Sequence, residues 1–203
     1  MRVVIDTCSL LSLARYYLPF DKDLVLYNII KQRILRKEII IVDKVYEECK
    51  YVSDGLVSKS LNFFLDKNFK RKAQMPYDTS LLVAPNPKEL LHKVNKVYAR
   101  TAIISQKGLT PTQYEEKKYK FLRDADMTQV ILCLRYKDEG VPVTLITEET
   151  ERNNDNKPFV KIPVICKDLQ ITTTSLPKYL IQAGGIDFSF HKNAPDSFEN
   201  PED

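Results

Sequence analysis

Acidic residues in this 203-residue chain recur where a fold can gather them. Asp6 ends the apolar run Arg2 to Ile5. Glu47 and Glu48 come shortly after a second run, Glu38 to Val42. Asp124 and Asp126 open a helical pattern that leads into a third run, Val141 to Ile146, and Glu148 and Glu149 follow that run. Each group has a plain structural explanation. An Asp after a strand caps helices, Asp126-Met-Thr-Gln129 reads as a capping box, and the two Glu pairs read as solvated surface. Their recurrence at equivalent places suggests more. Like charges gathered within about 4 Å repel and raise each other's pKa unless a cation lies among them. Oxygen donors of this kind suit Mg²⁺ or Mn²⁺, which keep water ligands and bridge phosphate oxygens. One such ion, or a pair about 3.5–4 Å apart, lowers the pKa of an attacking water and offsets charge on the leaving oxygen. That is the chemistry of phosphodiester hydrolysis.

The elements that must position these acids follow from the apolar pattern. Arg2–Ile5, Glu38–Val42 and Val141–Ile146 read as buried strands. Val164–Ile165 and Ile171–Thr174 read as short ones, and a further strand is expected near Ser80–Val83. A helix after Asp6 carries Leu10, Leu11, Leu13, Ala14 and Tyr17 and stops at Pro19. Asp21 is expected to cap a second helix to about Leu35, with Leu24, Ile30, Ile34 and Leu35 inward. Asp43 is expected to cap a third helix, interrupted at Gly55. A helix is expected from Lys88 to about Ser105. Thr110-Pro-Thr-Gln113 has the form of a capping box with Pro at the first helical position, opening a helix over 111–123. The next helix starts at Asp124-Ala-Asp126 and ends before Gly140. A last helix runs from about Leu176 to Ala183, closed by Gly184-Gly185. Strands alternating with helices predict a three-layer α/β/α fold around a central, mostly parallel sheet. In open sheets of that kind ligands bind at the carboxyl edge of the strands, where Asp6, Glu48 and Glu148-Glu149 would meet. One domain is expected over 1–186, with a helical insertion at about 67–123 and a mobile tail over 187–203.

Composition narrows the setting. Hydrophobic content is 43% and net charge +4, which is mildly basic and decides little. Lys117, Lys118, Lys120 and Arg123, interleaved with Tyr114, Tyr119 and Phe121, read either as a solvated helix face or as phosphate contacts with aromatics available to unpaired bases. Lys67, Lys70, Arg71 and Lys72 form a second basic cluster. The four cysteines, Cys8, Cys49, Cys133 and Cys166, are scattered, and His92 and His191 are the two histidines, so a structural zinc site is not expected. No apolar run approaches the roughly 18–20 residues of a membrane span, and Asp6 interrupts any leader-like core. A cytoplasmic protein without a membrane partner is expected.

Taken with their order, these segments resemble the motifs of PIN-domain nucleases. Val-Val-Ile-Asp6-Thr-Cys-Ser9 looks like the opening motif, an apolar strand, an Asp and then small hydroxyl residues. Val45-Tyr-Glu-Glu48 is similar to the second, Ala125-Asp126 to the third, and Thr147-Glu148-Glu149 to the fourth, where the family often has Thr-x-Asp. Lys161-Ile-Pro163-Val-Ile-Cys166 is similar to a segment in a branch often encoded in toxin–antitoxin-like loci. The resemblance spans most of the chain outside about 67–110. It implies that Asp6, Glu48, Asp126 and Glu149 hold Mg²⁺ or Mn²⁺ and activate water, with Asp124 as a further ligand. Thr7, Ser9, Thr147 and Glu148 would support them. The implied activity is RNA cleavage, with an antitoxin protein and a homodimer as possible partners. Either Glu148 or Glu149 can be the fourth acid, and Asp124 competes with Asp126 for the third place. The competing reading is a non-catalytic PIN-like module that binds RNA or protein. It gains if both Glu148 and Glu149 turn away from Asp6. Asp124-Ala-Asp126-Met-Thr128 also spells the Asp-x-Asp-x-Thr of haloacid-dehalogenase-like phosphatases, but that motif needs a strand before it, and Lys120-Phe-Leu-Arg123 ends a helical pattern.

Overall fold

The structure, a computed structural model, describes residues 1–151, 156–182 and 185–186. The expected tail over 187–203 and the helix closure at Ala183 and Gly184 lie outside them. Four parallel strands form the central sheet: β1 (Arg2–Ile5), β2 (Ile39–Ile40), β3 (Val143–Ile146) and β4 (Thr172–Thr174), in the order β2-β1-β3-β4. Val3 pairs with Ile39 on one side and Thr144 on the other, and Ile146 pairs with Thr174. Val3, Val4, Ile5, Leu145 and Ile146 are all essentially inaccessible, as strands covered on both faces require. Burying each such aliphatic side chain stabilises the fold by roughly 1.5–3 kcal/mol, so the sheet centre anchors whatever is built on its ends.

Helices cover both faces, giving the three-layer α/β/α architecture. They are α1 (Thr7–Ser12), α2 (Val25–Leu35), α3 (Asp43–Glu48), α4 (Leu56–Ser60), α5 (Lys67–Ala73), α6 (Pro87–Lys93), α7 (Thr101–Gln106), α8 (Pro111–Phe121), α9 (Ala125–Asp138), α10 (Ile162–Asp168) and α11 (Leu176–Gln182). The Thr110 capping box is present in both directions, Gln113 N–H to Thr110 Oγ1 and Thr110 N–H to Gln113 Oε1. The chain leaves β1 toward β2 on one side, while β3 and β4 lie on the other. The β1/β3 boundary is therefore a topological switch point, where doubly wound sheets open a crevice at their carboxyl edge.

Several expectations are corrected. Leu24 is exposed and in the left-handed region, because the Asp21 carboxylate accepts from Leu26 and Tyr27 N–H and starts the helix at Val25; Leu26 turns inward instead. Val42, not Asp43, precedes α3; the Asp43 carboxylate holds Thr79 and Lys44. Those bonds, with Leu82 N–H to Thr79 O, make Ser80–Val83 a turn rather than a strand. Val164–Ile165 belongs to α10, since Ile162, Ile165 and Cys166 are buried at helical spacing behind Pro163 in the first turn. The helix expected over 88–105 breaks at Ala99, which leaves it to bridge Phe159.

Candidate active site

β1 delivers Asp6 to the switch point. The Asp6 N–H donates to Ile146 O, and the Asp6 carboxylate caps α1 by accepting from Ser9 N–H at 2.6 Å. Asp6 is thus both a helix cap and a buried carboxylate, 4% exposed. Burial raises its pKa, hydrogen bonding from Ser9 and Thr147 pulls it back, and the charge of Glu149 raises it again. Thr7 donates to Glu48 Oε2 at 2.5 Å, so α1 orients the half-buried acid that α3 supplies. Glu47 turns outward and pairs with Lys50.

At the start of α9 the two aspartates divide the work. Asp124 Oδ1 accepts from Met127 N–H and caps the helix. Its carboxyl is pushed up to about 6, first by burial and then, against the Met127 hydrogen bond, by the Glu48 charge. Asp126, within the first turn, is pushed up to about 7. Burial comes first, then the charges of Asp124 and Glu149, opposed by Lys157, then Glu48. The helix α8 precedes this pair, so the strand a dehalogenase-like phosphatase motif needs is absent there.

After β3 the two glutamates part. Glu148 Oε1 accepts from Leu176 N–H at 2.7 Å and holds the start of α11. Glu149 is fixed by its own N–H donating to Thr147 Oγ1, and its Oε2 is buried with no hydrogen-bond partner. Cys8 reports where the acids meet. Partial desolvation of its sulfur raises the thiol first, followed by the charges of Asp6, Glu149, Asp126 and Glu48, to about 11. These four carboxylates from four separate segments therefore share one neighbourhood at the carboxyl edge.

Among the described residues no three His, Cys, Asp or Glu side chains are drawn together as a preformed metal-binding set. The donors nevertheless fit a hard divalent cation. They are all carboxylate oxygens, burial and mutual repulsion hold Asp6, Asp124 and Asp126 toward the neutral form, and Glu149 Oε2 is a buried acceptor without a donor. Asp6, Glu48, Asp126 and Glu149 are the residues that would hold such an ion.

The basic residues of α8 sort by face. Lys117 and Lys120 line a cleft of about 300 Å³ that also includes Asp124 and Asp126. Lys118 lies over the Tyr114 ring and pairs with Glu115, and Arg123 stacks on Tyr119. Two more lysines, Lys157 and Lys161, line the same cleft. Their positions in a polar loop and at a helix start gave no sequence signal of this role; only the pairing of Ala99 with Phe159 brings that segment in.

The architecture and site define a parallel α/β protein with a carboxylate cluster at its switch point. The chain belongs to the DUF4411 family, a domain of unknown function whose pattern it matches over residues 3–186. No curated protein and no solved structure matches it significantly. Among the described residues no helix is long and apolar enough to cross a membrane.

Proposed function

We propose that this protein is a Mg²⁺- or Mn²⁺-dependent endoribonuclease of PIN-like type. The observation that carries the reading is the shared neighbourhood of Asp6, Glu48, Asp126 and Glu149 around Cys8, with Glu149 Oε2 buried and unpartnered. The inward Glu149 favours hydrolysis over a non-catalytic binding module, for which both glutamates would turn away. A bound divalent ion would supply an activated water and offset charge on the phosphodiester. The chain's own groups do the rest. Thr7 holds Glu48 in place, Thr147 and Ser9 fix Asp6 and Glu149, and Asp126, with its carboxyl near pKa 7, releases its proton close to neutrality. By resemblance, the reading extends to the toxin of a toxin–antitoxin pair, with an antitoxin protein and a second copy of the chain as partners.

The test is cleavage of a labelled RNA with Mn²⁺ and with EDTA. Asp6→Asn should abolish EDTA-sensitive cleavage while leaving a cooperative thermal transition. Equal cleavage by the folded variant would place the activity elsewhere. Induced expression in a bacterial host should arrest growth for the wild-type chain and not for Asp6→Asn if the toxin reading holds.

A further inference from the structure

The cleft beside the acids is lined by both signs of charge: Asp124 and Asp126, together with Lys117, Lys120, Lys157 and Lys161, contributed by α8 and by the segment that leads into α10. None of these four ammonium groups has a hydrogen bond or ion pair among the described residues, in contrast with Lys118 and Lys50. Asp124 and Asp126 share this lining, so the four ammonium groups outnumber the carboxylates and favour a further anion among them. The lining also has an apolar part: the half-buried Phe121 stacks on the buried Phe159 with centroids 4.3 Å apart and planes 9° apart, beside Pro158 and Val160. The segment that carries Lys157 and Lys161 is held against residues 98–100, since Arg100 N–H donates to Pro158 O and Val160 N–H to Tyr98 O. The lysines therefore face the cleft from anchored backbone.

We infer that this cleft holds one nucleotide of an unpaired RNA strand beside the bond to be cut, its phosphates on Lys117, Lys120, Lys157 and Lys161 and its base against the accessible part of Phe121. The volume of about 300 Å³ is at the low end of small-ligand sites, room for one base and not for a stacked pair of strands. Phosphate contact from lysines with an apolar platform for the base is how unpaired strands are held without sequence readout. Lys157 links the lysines to the acids, because its charge also acts on Asp124 and Asp126. The inference rests on the nuclease reading only for where the scissile bond lies.

Binding separates it from catalysis. A fluorescent single-stranded RNA of about twelve nucleotides is titrated in EDTA onto the full chain carrying Asp6→Asn, over a salt series. The expected result is that Lys157→Ala and Lys161→Ala each weaken binding about five- to tenfold and each flatten the log–log salt slope by about 0.7, one phosphate released per lysine. Lys67→Ala with Lys72→Ala, on α5, should leave binding unchanged, and the same RNA as a duplex should bind more weakly. The inference is overturned if the parent binds neither RNA, if the cleft variants bind as the parent does, or if the duplex binds as tightly as the single strand. Cleft-dependent binding by a wild-type chain that cuts no RNA rejects the nuclease reading and leaves the cleft. Metal-dependent cleavage with binding indifferent to Lys157 and Lys161 does the reverse.

Discussion

Asp126 gives the sharpest test, because the carboxylate proposed to serve function works against the fold. Its pKa is about 7 in the folded chain against 3.8 for an unperturbed Asp. Below 3.8 it is protonated in both states and contributes nothing. Between 3.8 and about 7 the folded chain keeps a proton the unfolded chain has released, so stability falls as pH rises, and above about 7 the full penalty stands. Raising the carboxyl from 3.8 to about 7, at about 1.36 kcal/mol per pH unit, costs about 4 kcal/mol at pH 8, whereas at pH 5, about 1.2 above 3.8, about 1.6 kcal/mol of it is expressed. Asp124 shares this repulsion with Asp126, so the pH-dependent part of the difference is expected at about 1–2 kcal/mol. Asp126→Asn keeps the shape and removes the charge, and the capping bond of α9 belongs to Asp124. In EDTA, urea denaturation should find the variant more stable than wild type, by about 1–2 kcal/mol more at pH 8 than at pH 5. With Mn²⁺ the order should reverse, since only the wild type gains from an ion that binds the folded state. A variant less stable than wild type in EDTA at both pH values would refute the reasoning, for it would make Asp126 a support of the fold.

The remaining expectations follow from neighbouring residues. Glu149→Gln should abolish the Mn²⁺-induced rise in melting temperature, whereas Glu148→Ala should keep it and lower stability by about 1 kcal/mol through loss of the α11 cap; a loss of the metal effect in Glu148→Ala alone would reverse the assignment. Cys8, the exposed one of the four thiols, should alkylate in EDTA at pH 8 about a hundredfold more slowly than a thiol of pKa 9.0, because at about 11 so little of it is thiolate. Asp6→Asn should speed that reaction, and labelling at the ordinary rate in the wild-type chain would mean the four charges do not meet there.

Signals that lie within one element were legible in the sequence. Asp6 follows an apolar run that is β1, Thr110 opens α8 with its capping box, and Asp124-Ala-Asp126 opens α9, though its cap is Asp124 and not the Asp126 of the expected capping box; strand burial and helix starts are written in a few adjacent residues. What depends on distant segments was not. No local feature makes Ala99 leave its helix; the cause is Phe159, far along the chain. Lys157 and Lys161 join Lys117 and Lys120 only through that same pairing. Within α8 the cluster looked uniform, yet Lys117 and Lys120 are three apart and share a helical face, while Lys118 is turned onto Tyr114 and Glu115.

The division between Glu148 and Glu149 shows why a motif alone left the fourth acid open. Both follow β3 and both are half-buried. Which one enters the site is decided by α11, which comes much later in the chain and whose first N–H groups need an acceptor. Glu148 satisfies Leu176 N–H, and Thr147 turns the Glu149 backbone the other way, leaving Glu149 Oε2 buried among other carboxylates. A helix that touches no substrate in this reading thereby selects the acid that does. Removing the first turn of α11 should therefore free Glu148 to compete with Glu149 for the site and weaken metal binding, whereas Glu148→Ala breaks the same bond, leaves no competitor and keeps it.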